Sequence, residues 1–172
     1  MQRFVGSILI VSATTWAGVL YGKEQQQYLE NMMYLRHVIC MIRNEIEYSN
    51  LPLSEVFKKV AVCVKEPYRS WLHTMEHQMI NRREAEFQKI WRGAVENCLM
   101  DLYLKKDHKR QIVEIGNYIG KMGRRTESEN LEFYMEQFHL EIKKLRKEIR
   151  EKKRIGNCIG VMGGLFLVII LI

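Results

Sequence analysis

The chain has 172 residues, of which 47% are hydrophobic and 27% charged, and its formal net charge is +7. This length favours a single domain, and the basic balance comes without the aromatic-interleaved basic stripe or known module of a nucleic-acid-binding protein. The four cysteines lie far apart and form no CxxC pair, so we expect free thiols and no metal or cofactor.

The first predicted element is an apolar helix at the N-terminus. Phe4–Gly22 is 19 residues without a formal charge, and a helix of that length rises about 28 Å, close to the ~30 Å hydrocarbon layer of a bilayer. We therefore predict a transmembrane helix over residues 1–22. A cleaved signal peptide is the alternative, because Arg3 precedes the apolar core, although the bulky Trp16 stands where cleavage would need a small residue.

The middle of the chain, residues 23–154, carries six apolar stripes at helical spacing. Short connections between amphipathic helices are typical of a bundle, so we predict an all-α fold, an antiparallel bundle of about six helices flanked by two transmembrane helices. The stripes are Tyr28, Met32, Leu35, Ile39, Ile42 and Ile46; Leu53, Val56, Phe57, Val60 and Val64; Tyr68, Leu72, Met75 and Met79; Phe87, Ile90, Trp91, Ala94 and Cys98; Ile112, Ile115 and Ile119; and Leu131, Tyr134, Phe138, Ile142, Leu145 and Ile149.

The last predicted element is a second transmembrane helix over residues 155–172, which contain no charge. Lysine and arginine are concentrated directly before it, so the positive-inside rule places residues 23–154 in the cytoplasm and both termini across the membrane. The same basic side chains are candidates for contact with anionic lipid headgroups. They are Lys143, Lys144, Lys147, Arg150, Lys152, Lys153 and Arg154.

Small residues recur four apart in both predicted spans. Ridges of this kind let membrane helices approach closely, so we predict packing between the spans or onto another subunit, which would make the protein an oligomer. The candidates are Thr14, Gly18 and Gly22 in the first span and Gly156, Gly160 and Gly164 in the second. Gly116 and Gly120 repeat the spacing in the fifth helix, where the nearby helix end explains them equally well.

The sharpest chemical pattern is His73-Thr74-Met75-Glu76-His77. It matches the H-x-x-E-H signature, in which two histidines one helical turn apart bind zinc and the glutamate acts as base. No third ligand is identifiable, and the residues also fit the polar side of the Leu72 and Met75 stripe. A zinc peptidase through His73, Glu76 and His77 is therefore a remote alternative, and we predict no catalytic or metal-binding residues.

Two charged clusters mark the connections on either side of the fourth helix. Such clusters are usually solvated loop surface, but loops at one end of a bundle are also where a partner protein could dock. The candidates are Arg82, Arg83, Glu84 and Glu86 before the fourth helix and Lys105, Lys106, Lys109 and Arg110 after it.

An ordered set of short motifs links the chain to a known family. The motifs are Ala13–Gly18 in the first helix, Glu45–Glu55 around the Pro-Leu turn, Phe87 with Trp91, and Gly120–Gly123 before the last helix. Together they resemble the stage III sporulation protein AB family over essentially the whole chain. The chain departs from the family's usual Asp-containing step, with Arg124-Arg125-Thr126-Glu127 at that place.

The resemblance implies a non-enzymatic scaffold of the channel complex between mother cell and forespore. Its helical domain would be similar to the cytoplasmic domain of type II secretion inner-membrane platform proteins and would lie in the mother-cell cytoplasm, with the protein in the outer forespore membrane. The implied partners are a secretion-type ATPase, stage III sporulation protein AA, and other membrane components of the complex. The alternative is a stand-alone membrane-anchored helical adaptor or sensor.

Overall fold

A computed structural model of the chain describes residues 2–49, 51–81, 86–120 and 125–171. Over these ranges it contains six α-helices, one 3₁₀ turn and no strand, which confirms the predicted all-α class and the number of helices. The helices are α1 (Gln2–Ser49), α2 (Leu53–Val62), α3 (Tyr68–Asn81), α4 (Phe87–Cys98), α5 (Lys106–Ile119) and α6 (Arg125–Leu171), and the 3₁₀ turn covers Met100–Leu102.

The helices fall into two compact units. One unit covers Asn31–Glu141 and contains α2 to α5 together with the adjoining parts of α1 and α6. The other combines Met1–Glu30 with Ile142–Ile172, which are the N-terminal part of α1 and the C-terminal part of α6. The candidate site described below lies in the Asn31–Glu141 unit.

In that unit, the chain from α2 to the start of α3 runs back along α1. The Lys59 ammonium lies 2.6 Å from Glu45 Oε1, and the Tyr68 hydroxyl, nine residues further along, donates to the Asn31 carbonyl at 2.9 Å. The contacts therefore move back along α1 as the chain moves forward. Burial of Tyr68 raises the pKa of its phenol, so this hydroxyl stays a donor.

The start of α3 depends on the glutamate that precedes Pro67. Proline cannot donate a backbone hydrogen bond, and the first amides of a helix need acceptors from outside it. Glu66 Oε2 accepts from the Ser70 hydroxyl at 2.7 Å and from the Ser70 backbone N–H at 3.1 Å. These hydrogen bonds to Ser70 lower the pKa of the Glu66 carboxyl, which therefore caps α3 in its ionised form.

The predicted apolar stripes supply the core. Most of their members are buried, and each fully buried aliphatic or aromatic side chain contributes about 1.5–3 kcal/mol. No polar or charged residue is buried among the described residues. The buried stripe residues are Met32, Leu35, Ile39, Ile42, Val56, Phe57, Val60, Val64, Tyr68, Leu72, Met75, Ile90, Trp91, Ala94, Ile112, Ile115, Ile119, Leu131, Phe138, Ile142, Leu145 and Ile149.

The contact between α4 and α5 is built from aromatic rings against glycines. A Cβ at Gly116 would overlap the Trp91 indole, and a Cβ at Gly120 would overlap the Phe87 ring. The Trp91 Nε1–H donates to the Ile112 carbonyl at 2.9 Å. Because the aromatic residues and the glycines are both spaced four apart, the two antiparallel helices match turn for turn.

The predicted membrane spans are not found. Among the described residues, no helix contains a stretch both long enough and apolar enough to cross a bilayer.

The prediction of an integral two-pass protein is therefore wrong, as are the cytoplasmic orientation and the outer forespore membrane location that depended on it. Much of the sequence behind that prediction, the side chains of residues 1–15, 17–21, 157–161 and 164–172, lies outside those the structure describes.

Candidate docking surface

The turn from α4 to α5 presents two large apolar side chains to solvent. Leu99 and Leu102 are buried and hold the turn against the bundle. Met100 and Tyr103, each one residue further along, are 68% and 86% exposed. Residues three apart at the 3₁₀ turn therefore share a side: Leu99 and Leu102 are buried, and Met100 and Tyr103 are exposed.

Tyr103 has an unusual backbone conformation. Its φ of 48° and ψ of 44° are left-handed, and it is the one non-glycine residue with positive φ among those described. Its N–H donates to the Met100 carbonyl at 3.0 Å and closes the turn. For a residue with a Cβ this conformation costs roughly 1–2 kcal/mol, and a bulky aromatic residue seldom adopts it.

The predicted basic cluster lies at the start of α5. Lys105 is the N-cap residue in extended conformation, without a side-chain capping bond, and Lys106 and Arg110 are exposed. The N-terminus of a helix carries a partial positive charge, so Lys105 and Lys106 are each unfavourable there by about 0.3–1 kcal/mol. Asp107 offsets part of this charge and lies 3.6 Å from the Arg110 guanidinium.

His108 connects this cluster to α6. Its Nε2 lies 3.5 Å from Glu141 Oε2, and its side chain is largely covered. Burial lowers the pKa of His108 below its usual 6.5, and the Glu141 carboxylate opposes the shift only partly. The imidazole is therefore neutral near pH 7, and the positive charge of the surface comes from its lysines and arginine.

Of the other predicted docking loop, only Glu86 lies among the described residues. Arg82, Arg83 and Glu84 lie outside the described residues. Glu86 is exposed at the N-cap position of α4, where its carboxylate lies 3.8 Å from the Lys89 ammonium. Phe87, next to Glu86, packs on Gly120 at the C-terminal end of α5, whereas the basic cluster lies at the N-terminal end of that helix.

The histidine pattern on α3 is occupied by local contacts. His73 Nδ1 lies 3.3 Å from Glu76 Oε2, and the His77 ring faces the Asn81 side-chain amide at 3.0 Å. The glutamate that would act as base is thus engaged by one of the two histidines. Within the described ranges, no group of three or more histidine, cysteine, aspartate or glutamate side chains is arranged to hold a metal ion.

The remaining candidates lie in the unit formed by the chain ends. A Cβ added at Gly22 or Gly156 would meet nothing within 4 Å. The side chains of Thr14, Gly18, Gly160 and Gly164 are outside those described, so close helix packing at these positions stays a prediction. Lipid contact also stays a prediction for the α6 cluster, whose exposed members are Lys143, Lys144, Lys147, Arg150, Lys152, Lys153 and Arg154.

Sequence reasoning missed Met100 and Tyr103. The segment from Leu99 to Leu104 is apolar except for Asp101, and it fits neither a helical stripe nor a charged loop. A usable signal was the large apolar side chains placed directly before a run of lysines. The sign of φ at Tyr103 has no sequence signal, because tyrosine rarely adopts it.

The fold is all-α, and the turn between α4 and α5 exposes two large apolar side chains. The chain matches the profile of the stage III sporulation protein AB family over residues 3–172, and it belongs to that family. It is 22% identical to the stage III sporulation protein AB of Bacillus subtilis (strain 168) over 173 residues, which covers 99% of each chain. No solved structure matches it.

Membership of this family fixes the broad role. The chain is a sporulation protein, as the name of the family states, and that name designates no enzymatic activity. The predicted family resemblance is confirmed over nearly the entire chain.

Proposed function

We propose that this protein is a non-enzymatic scaffold of the channel complex between mother cell and forespore, and that it docks a secretion-type ATPase, stage III sporulation protein AA. The family match over residues 3–172 is the observation that carries the proposal, because it covers nearly the whole chain, including both compact units. The docking role is a finer claim, supported by the surface of the α4–α5 turn.

The character of that surface supports a binding role. Protein interfaces are enriched in aromatic side chains, methionine and arginine, and all three occur between Met100 and Arg110. Trp91 and Phe87 pack closely against Gly116 and Gly120, which holds α4 on α5. A scaffold needs this combination of a fixed support and an exposed contact surface.

The test is binding of the purified full-length chain to the purified ATPase of the same organism, measured by calorimetry at physiological salt. We expect saturable binding that weakens as salt rises, because exposed charges contribute mainly through screened electrostatic attraction. The double charge reversal Lys105→Glu with Lys106→Glu should weaken it. Reversal of Lys58, which is exposed on α2, is the matched control.

Each outcome separates the two parts of the proposal. If binding is undetectable for the folded wild-type chain, the docking role is wrong. If binding is unchanged by the reversals at Lys105 and Lys106 but lost on reversal of Arg82 and Arg83, the ATPase docks at the other predicted loop. The scaffold role in sporulation is tested separately, because deletion of the gene should abolish heat-resistant spores and the wild-type gene should restore them.

A further inference from the structure

Two independent departures from local stability meet at the α4–α5 turn. Tyr103 holds a left-handed backbone conformation that glycine or asparagine would adopt more readily. Directly after it, Lys105 and Lys106 place positive charge at the positive end of α5. Where a sequence breaks local rules in this way without a gain in packing, the position is usually functional.

Tyr103 and Met100 are largely exposed, so the fold buries little of either side chain. The Tyr103 ring is 86% exposed, so it buries little apolar surface. Met100 is 68% exposed in the same turn. The turn is anchored by the buried Leu99 and Leu102, and the tight backbone bond from Tyr103 to Met100 would form with glycine at position 103. The tyrosine is therefore not needed for the turn itself.

We propose that Tyr103, with Met100 beside it, is the apolar anchor of a docking surface for an acidic protein partner, with Lys105, Lys106 and Arg110 as its charged rim. This inference rests on the proposed function and names the contact through which the ATPase would be held. The partner surface would present an apolar pocket for the phenol ring, surrounded by aspartate or glutamate side chains. Tyrosine and arginine are the residue types most often found as energetic anchors at such interfaces.

The pattern of charge favours a protein over an anionic lipid surface. Asp101 and Asp107 are interspersed with the basic residues, and Asp107 pairs with Arg110 at 3.6 Å. A uniformly negative membrane surface would repel these two carboxylates. A folded partner can instead place its own charges to match the pattern residue by residue.

The experiment measures binding of the full-length chain to the purified ATPase for three variants. Tyr103→Gly removes the ring while allowing the left-handed backbone, so the fold is kept. Tyr103→Phe keeps the ring. Tyr48→Gly is the matched control, because Tyr48 is 82% exposed but lies on α1. Circular dichroism confirms that each variant is folded, and the same variants are tested for binding to phosphatidylglycerol vesicles.

We expect Tyr103→Gly to weaken ATPase binding by about 30-fold or more, and Tyr103→Phe and Tyr48→Gly to change it by less than about threefold. Equal binding by wild type and Tyr103→Gly would overturn the inference and leave the proposed function standing. Absence of binding by the wild type would overturn both. A Tyr103→Gly effect confined to vesicle binding, or to self-association in sedimentation, would assign the surface to lipid or to a second copy and overturn the inference.

Discussion

The two ends of α5 follow opposite rules. At its C-terminal end, Gly116 and Gly120 lie under Trp91 and Phe87, and every local choice serves the packing of α4 on α5. At its N-terminal end, basic residues oppose the helix dipole, and the preceding Tyr103 is exposed in a left-handed conformation. The C-terminal end of α5 is thus closely packed, whereas the residues at and before its N-terminal end reduce the stability of the fold.

This contrast can be measured without any knowledge of a ligand. A tightly packed end tolerates few changes because its neighbours cannot move, whereas the strained end should tolerate substitution and even gain stability from it. Stability measurements on the two ends therefore discriminate between them.

The largest effect is expected at Trp91. Its fully buried indole contacts Trp71 edge to face at 5.0 Å between ring centroids, and its N–H is bonded to the Ile112 carbonyl. Trp91→Ala should lower the free energy of unfolding by about 3–5 kcal/mol through lost burial and a cavity. Urea denaturation followed by circular dichroism measures this. A loss below about 1 kcal/mol would show that α4 and α5 are not held together here.

Gly116→Ala should come next. The added methyl group would overlap the Trp91 ring, which cannot yield because it is buried and hydrogen-bonded, so we expect a loss of about 1–3 kcal/mol. Gly93→Ala on α4 is the matched control. An added Cβ there meets nothing within 4 Å, so the same exchange should gain about 0.5–1 kcal/mol from helix propensity. Equal effects at the two positions would contradict the close packing.

Helical periodicity predicted much of the packed end of α5 but not its mechanism. The stripe of Ile112, Ile115 and Ile119 is buried as predicted. However, α5 begins at Lys106, six residues before the first member of that stripe. The stripe did not show this start, because the first turns of the helix are too polar to have an apolar period. The spacing of Gly116 and Gly120 was visible, but its meaning depended on the aromatic residues of another helix, and single-sequence patterns do not contain that pairing.

The strained end could be predicted only in part. A run of charge between two stripes predicted a surface connection at residues 105–110, because solvated lysines are typical of connections. Lys105, Lys106 and Arg110 are exposed, but residues 106–110 belong to α5 and the His108 side chain is largely covered. Helical periodicity also missed part of the core, because Trp71 is fully buried although no predicted stripe included it. The positive φ of Tyr103 runs against the preference of tyrosine itself, so no pattern in the sequence predicts it.

Tyr103→Gly is expected to raise the free energy of unfolding, whereas the substitutions at the packed end of α5 lower it. Relief of the left-handed strain gains roughly 1–2 kcal/mol, and the added freedom of glycine in the unfolded chain costs roughly 0.5–1 kcal/mol, so the variant should be more stable by about 0.5–1 kcal/mol. Tyr48→Gly should instead lose about 0.5–1 kcal/mol, because Tyr48 lies within α1. Urea midpoints compare the two variants. If Tyr103→Gly were destabilising, the tyrosine would be a structural residue.

The smallest effect is expected at His108, where the basic end of α5 meets Glu141. Burial lowers the folded-state pKa of this imidazole below the 6.5 of the unfolded chain, with Lys105 acting in the same direction and Glu141 and Asp107 opposing it. Between the two pKa values the unfolded chain binds more protons, so this contribution to stability is complete above about pH 6.5 and declines as the pH falls.

Wild type should therefore lose more stability than His108→Gln between about pH 7.5 and pH 5.5, measured by urea midpoints at each pH. His37→Gln, which removes an exposed imidazole from α1, is the control for loss of a histidine as such. If His108→Gln lost as much stability on acidification as wild type, then acid would not act on the joint between α5 and α6 through this residue. The expected result would mean that acid weakens the contact between α5 and α6. The contact between α4 and α5 should stay intact, because Trp91, Phe87 and the two glycines do not titrate.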